Sequence, residues 1–410
     1  MKRNLLMLLA CLSMLCAWAD LPFRNHRYDS FKALEPAEGS IVFIGNSITD
    51  MHCWPEAFKT SEGKYLPIVN RGNSGTFSTE QSANIESYLK NKPKKVFMMI
   101  GTNDLASGGG LSFSGEQILA YVKSMVKLIH KRSPETKVYL YSILNNTTGN
   151  RVREHWLHAN KVVKEYVAQV NEPWLTYIDL YDKLIEVGNG GAWSYDKLHL
   201  TAGAYQVWCE AICSYLAEGE SYGVIPVYPP NALTAQNSGT MSGSNGMRAT
   251  YFSLMPIEKE DVLVFGDEMV KNGEWQELLG NYNVKNRGTG WGYGGDIATT
   301  TKLVDATFAS TGVSKEAPKA IFLYTGTADA NGSTALETVK SNYLALVNKI
   351  KAKAPSSVIY LMSLCPIKNA STNTNRIAAL NSYMQTLVGG NVKYVDIYSS
   401  LISGTVANSK

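Results

Sequence analysis

The chain has 410 residues, 45% of them hydrophobic, and its 39 Lys and Arg against 35 Asp and Glu give a formal net charge of +4. That length supports two domains with full-sized cores, and so mild a charge, spread out except for a local cluster at Lys92, Lys94 and Lys95, leaves no nucleic-acid footprint. Six cysteines in so long a chain make no disulfide framework, and no His or Cys pair has the spacing of a metal site with a matching second pair, so no metal or other cofactor is expected.

The N-terminus reads as an export signal. Lys2-Arg3 precedes an apolar stretch from Leu5 to Cys16, and Ala17-Trp18-Ala19 supplies a small-residue cleavage site before Asp20. The apolar run is too short for a stable bilayer anchor, and no other segment is long and apolar enough to be transmembrane. A signal peptide over residues 1–19 and an exported mature protein, periplasmic or extracellular, are therefore expected. Removal of the signal leaves Cys53, Cys209, Cys213 and Cys365. Cys209 and Cys213 lie four apart on a predicted helix, where they stack on one face as small apolar residues.

Further along, short apolar runs alternate with helical stretches. Strands are predicted at residues 41–44, 68–70, 95–100, 137–142 and 175–179. The clearest amphipathic helices between them span 115–132 and 153–170, with a last helix at 204–218. Strand-helix alternation implies right-handed crossovers and a parallel sheet covered on both faces. The predicted fold is a three-layer α/β/α sandwich of the flavodoxin-like type, whose functional groups gather outside the carboxyl ends of the strands.

Three polar motifs stand just past such strand ends: Gly45-Asn46-Ser47-Ile48-Thr49-Asp50, Asn70-Arg71-Gly72-Asn73-Ser74-Gly75 and Gly101-Thr102-Asn103-Asp104. A fourth, Asp196-Lys197-Leu198-His199, precedes the last helix. A serine hydroxyl becomes a nucleophile when an imidazole takes its proton, and the imidazole needs a carboxylate to fix its tautomer. Ser47, His199 and Asp196 supply that set. Ester cleavage passes through a tetrahedral oxyanion that needs preorganised N–H donors. The backbone N–H groups of Ser47 and Gly75 and the side-chain amide of Asn103 are candidates, and Gly75 lets the backbone approach a substrate closely. Each motif alone has a plain reading: an N-cap serine, an Asn-Asp turn, loop glycines, a loop histidine. Together and in this order they read as a serine esterase.

The pattern resembles the SGNH (GDSL-like) hydrolase family, whose four blocks carry Ser, Gly, Asn and a paired Asp and His, here Ser47, Gly75, Asn103, Asp196 and His199. The resemblance spans roughly residues 27–219. Asn46 replaces the Asp more usual before the nucleophile, a variation of carbohydrate-esterase members, and Thr76-Phe77 stands in place of the frequent Asp-Thr. The resemblance implies a Ser-His-Asp triad, an acyl-enzyme and an oxyanion hole of Ser47, Gly75 and Asn103. It is strongest to secreted bacterial carbohydrate and sialate O-acetylesterases. That implies an acetylated glycan as substrate, with a lipid or lysophospholipid ester, or a non-catalytic glycan-binding role, as alternatives. For an anionic sugar Arg71 and Arg151 are candidate carboxylate ligands, although a scaffold or surface role suits both better. The segment Ser107-Gly108-Gly109-Gly110-Leu111 is a candidate rim loop. Nothing in the sequence sets the oligomeric state.

The second half repeats the first. Residues 27–47 align without gaps with 248–268, Trp54 with Trp275, Asn70-Arg71-Gly72 with Asn286-Arg287-Gly288, and Gly101-Thr102-Asn103-Asp104 with Gly326-Thr327-Ala328-Asp329. Ser47 becomes Glu268, Gly75 becomes Trp291 and Asn103 becomes Ala328, and no second Asp-x-x-His is expected before Lys410. A glutamate cannot replace the hydroxyl and repels a developing oxyanion. The expected organisation is a signal at 1–19, a catalytic domain at 20–219, a Pro/Gly/Ser-rich linker at 220–246 and a degenerate copy lacking catalytic residues at 247–410. The copy is either a glycan-binding module or a structural partner, and Trp291 suits both.

Overall fold

A computed structural model describes residues 23–105, 113–144, 153–188, 193–228, 241–290, 296–365 and 371–399. The described residues 23–228 form one compact unit and residues 241–399 another.

The first unit is built on five parallel strands, β1 (Ile41–Gly45), β3 (Ile68–Gly72), β4 (Lys95–Met99), β5 (Lys137–Tyr141) and β6 (Leu175–Ile178), in the order β3-β1-β4-β5-β6. Taken as first to fifth along the chain, that order is 2-1-3-4-5, the flavodoxin-like arrangement with its switch point between β1 and β4. β1, β3 and β4 are buried on both faces, which explains why they read as continuous apolar runs instead of alternating ones. Phe43 and Phe97 stack across the sheet at 5.0 Å, and Tyr139 continues the row at 4.4 Å from Phe97. The fold class is as predicted from the sequence.

Helices cover both faces. The predicted helices at 115–132 and 153–170 are Gly115–Arg132 and Arg153–Val170. Gly115–Arg132 starts where it does because Ser114 caps it and Gln117 returns a bond to the Ser114 N–H, a reciprocal capping box.

Two features carry no sequence prediction. Residues 23–33 form a first helix, α1 (Phe23–Ala33), which buries Arg27, Tyr28 and Phe31. The segment β7 (Val224–Pro226) pairs antiparallel with β2 (Phe58–Thr60). The first unit therefore continues past residue 219, and a helix over Gly243–Leu254 begins inside the stretch 220–246 read as linker.

The second unit has the same sheet. Its strands β8 (Val262–Gly266), β9 (Val284–Gly288), β10 (Ala320–Tyr324), β11 (Val358–Met362) and β12 (Val392–Val395) are parallel and ordered β12-β11-β10-β8-β9. Gly266 pairs with Gly288 in it as Gly45 pairs with Gly72 in the first unit. The fold is an α/β sandwich in two tandem copies.

Candidate active site

β1 ends at Gly45, and Asn46 caps the four-residue helix α2 (Ser47–Asp50) by accepting from the Ile48 N–H at 3.1 Å. Ser47 is thus the first residue of a helix that starts at the carboxyl end of a central strand, next to the switch point. As first residue its N–H has no acceptor within the helix. The turn is tight. A Cβ on Gly72 would stand 2.2 Å from the Asp50 nitrogen, so α2 packs against β3 only because that position is glycine. From the other side the Trp54 indole donates to the Thr49 carbonyl at 2.8 Å and the Tyr205 hydroxyl to the Ile48 carbonyl at 2.6 Å. These two donors satisfy carbonyls that so short a helix leaves open.

His199 arrives on a small excursion just before the helix Ala202–Ala217. Ser194 and Leu200 form an antiparallel bridge at its base, and Lys197 takes a left-handed conformation with φ +72° at its tip. Asp196 closes the turn on itself, one carboxylate oxygen accepting from the N–H groups of Leu198 at 2.9 Å and His199 at 2.6 Å. Its other oxygen lies 2.7 Å from His199 Nδ1, and His199 Nε2 lies 2.9 Å from the Ser47 hydroxyl. Ser47, His199 and Asp196 thus form one hydrogen-bonded relay from residues far apart in sequence. Ser47 is 6% exposed, while the His199 side chain is 17% exposed and that of Asp196 40%, so the relay opens to solvent through its base and carboxylate. Burial by itself would raise the Asp196 carboxyl, but the hydrogen bonds from the His199 ring and backbone, with its charge, outweigh that and hold it at about 2. It is therefore ionised at neutral pH, the state that orients an imidazole.

Gly75 and Asn103 come close to one another. Gly75 has φ +78°, a left-handed conformation that suits glycine, and only the Arg24 side chain would approach a Cβ there. The Asn103 side-chain amide donates one hydrogen to the Thr76 carbonyl at 2.8 Å, which ties it to the residue after Gly75. An amide nitrogen has a second hydrogen to offer. Asp104 holds this arrangement from behind: buried, it accepts the Ser78 N–H through both oxygens at 2.9 and 3.1 Å, at the start of the helix Ser78–Tyr88. Chemically, the site presents an imidazole against a hydroxyl, and separately the Asn103 amide tied to the Gly75 turn.

Of the other predicted contacts, Arg71 is fully buried. It donates to the Asn70 carbonyl at 3.1 Å and lies over the Phe31 ring at 5.0 Å, so it is scaffold and cannot meet a substrate. Arg151, residues 107–111, Trp291 and the signal at 1–19 lie outside the described residues. The support given to α2 by Trp54 and Tyr205 was missed in the sequence. The repeat held a signal for Trp54, since Trp275 takes its place and donates to the Val270 carbonyl at 2.7 Å. Among the described residues no group of three His, Cys, Asp or Glu is placed to hold a metal ion, and no helix is long and apolar enough to cross a membrane.

Residues 43–207 and again 265–408 match the model of the GDSL-like lipase/acylhydrolase family. The alpha1 subunit of human platelet-activating factor acetylhydrolase IB is 27% identical over 210 residues, covering 48% of this chain and 82% of that protein. A GDSL-like lipase structure from Bacteroides thetaiotaomicron aligns at 22% identity and a TM-score of 0.39, over 48% of this chain and 99% of that one. An acetylxylan esterase mutant from Geobacillus stearothermophilus aligns at 21% identity and a TM-score of 0.35, over 45% and 96%.

Proposed function

The chain belongs to the GDSL-like lipase/acylhydrolase family, and on that premise we propose that its first unit is an exported serine esterase that removes acetyl or other short acyl groups from carbohydrates, O-acetylated sialic acid among them. The observation that carries this reading is the relay from Ser47 through His199 to Asp196. Ser47 attacks the ester carbonyl while His199 Nε2 takes its proton, and Asp196 balances the imidazolium that forms. The oxyanion collects the N–H groups of Ser47 and Gly75 and the Asn103 amide. His199 then gives its proton to the departing sugar oxygen, leaving an acyl-enzyme. A water molecule, deprotonated by the same imidazole, releases the acid and restores the hydroxyl. The steps need no metal or cofactor.

The substrate reading rests on less. Acetyl removal is in the name of the human relative, and the Gly45-Asn46-Ser47 form of the first block resembles carbohydrate esterases. The same relative favours a second reading, because its named substrate is platelet-activating factor and its family includes lipases: a lipid or lysophospholipid ester. The second unit is proposed as a non-catalytic copy, since Glu268 and Ala328 replace the hydroxyl and the amide.

The test is hydrolysis of p-nitrophenyl acetate, butyrate and octanoate, beside acetate release from O-acetylated sialic acid and from acetyl-xylan. Activity confined to short esters with one glycan preferred supports the proposal. A maximum at octanoate moves the substrate to lipids. No turnover by folded protein removes the enzyme reading.

A further inference from the structure

Between α1 and the Gly75 turn lies a set of polar contacts that the catalytic relay does not use. The Arg24 guanidinium donates to the Gly75 carbonyl at 3.1 Å and pairs with Glu80 at 3.0 Å, while its own carbonyl accepts from the Asn73 side chain at 2.9 Å. Arg27 donates to the Gly72 carbonyl at 2.9 Å and forms a buried pair with Asp50 at 3.0 Å. The other oxygen of Asp50 accepts the Ser74 hydroxyl. Every backbone residue from Gly72 to Gly75 is thereby held by a side chain or by its own, and Asp50 is the last residue of the helix that begins with Ser47. One ion-paired network thus links the nucleophile helix to the turn that carries Gly75.

The internal repeat separates two explanations for it. Contacts needed only to fold the sandwich should persist in the copy, and many do. Gly288 N–H is accepted by the Asn286 side chain at 2.9 Å as Gly72 N–H is by Asn70 at 2.8 Å, and Arg248 donates to the Gly288 carbonyl at 2.8 Å in the manner of Arg27. The copy keeps one further contact, between Thr289 and Asn245, the counterparts of Asn73 and Arg24, but other residues of the network are replaced. Asn245 stands in the place of Arg24, Lys271 in that of Asp50 and Gly290 in that of Ser74. In the helix Ile297–Thr307, matched to Ser78–Tyr88, Thr299 replaces Glu80. The fold survives these losses, and they fall in the copy whose counterpart of Ser47 is Glu268.

From this we infer that Arg24, Asp50 and Ser74 are positioning residues for catalysis: they fix the Gly75 N–H against Ser47 so that both point at the oxyanion before it forms. The inference rests on the catalytic reading of Ser47 given above. Preorganised donors stabilise charge because no reorganisation is needed when it develops, and small misplacements cost large factors in rate. Replacing Asp50 would leave the buried Arg27 guanidinium without its paired carboxylate and risks the fold, so the decisive variants are Ser74→Ala and Arg24→Ala, made in the full chain.

Steady-state hydrolysis of p-nitrophenyl acetate, thermal melting and inhibition by phenylboronic acid, whose boron becomes tetrahedral on the serine oxygen, are measured for each. The expected result is a fall in kcat of about tenfold or more with KM changed by less than about twofold. Phenylboronic acid affinity should weaken by a similar factor as kcat/KM. Unchanged kcat and inhibitor affinity in both variants, or a loss confined to KM, would overturn the positioning role. A lower melting temperature with full activity per folded molecule would overturn it too, leaving the network structural. The wild type and Ser47→Ala are run alongside. An inactive wild type, or an active Ser47→Ala, removes the catalytic reading and this inference with it, whereas active wild type, inactive Ser47→Ala and unaffected Ser74→Ala and Arg24→Ala remove this inference alone.

Discussion

Asn160 and Asn381 occupy matching places in the two units and do the same thing: each accepts the N–H and donates to the carbonyl of one loop residue, Ile143 in the first and Leu364 in the second. Ser142 and Ser363 both accept backbone N–H groups that follow the fifth parallel strand, and Asp104 and Asp329 both accept the N–H that opens an earlier helix, Ser78–Tyr88 and Ile297–Thr307. Trp54 and Trp275 cap the same carbonyl. Against this background Ser47 stands where Glu268 does and Asn103 where Ala328 does. A duplicated scaffold acts as an internal control. What recurs marks what the sandwich requires, and what differs marks what the proposed chemistry requires.

The sharpest way to break that division is to remove the relay. His199→Ala should lower kcat by about 10⁴-fold or more in the full chain, with melting nearly unchanged, because the base acts only on the reaction. Appreciable residual turnover in a kinetic assay would mean that the second unit is also active. Asn103→Ala should cost about 10²–10³-fold in kcat, the usual effect of one oxyanion donor, while Ala328→Asn should create no activity, as steady-state rates will show. Stability should behave in the opposite way. Gly72→Ala and Gly288→Ala each push a Cβ to 2.2 Å from a backbone nitrogen, of Asp50 and of Lys271. Denaturant unfolding should report about 1–3 kcal/mol or more lost from either unit. A large effect in only one unit would show that the close approach matters to the site and not to the fold.

The smallest effect concerns the counterpart of Asn46. Asp267 caps its short helix as Asn46 does, accepting from the Met269 N–H at 3.0 Å, but burial pushes its carboxyl up to about 7. The folded chain then keeps a proton that the unfolded chain releases near pH 4. The stability it supports is complete below about pH 4, falls as pH rises and levels off above about pH 7. Asp267→Asn should remove that slope and raise the melting temperature by a few degrees at pH 7 but little at pH 4. Equal shifts at both values would contradict the assignment.

Much of this was legible in the sequence because it is local. Strand ends next to Gly45, Gly72 and Gly101 placed the three polar motifs, the apolar periodicity of 115–132 marked a helix, and Asp196 was close enough to His199 to be read as its partner. What was not legible is built across long separations. The α1 helix is polar in composition, and its buried Arg27 makes sense only once Asp50 and Gly72 stand beside it. Tyr205 supports Ile48 from the far end of the domain, and β7 finds β2 through a register that no periodicity encodes. The scaffold role that suited Arg71 better in the sequence is the one it takes, although its burial against Phe31 is not visible there.

The central claim is that one copy reacts and the other does not, and acetylation of the intact chain tests it most directly. Brief exposure to p-nitrophenyl acetate, acid quench and peptide mass spectrometry should find a single acetyl group per chain, on Ser47, absent from Ser47→Ala. A second acetyl group within residues 241–399, or an adduct that survives Ser47→Ala at another active residue, would contradict it.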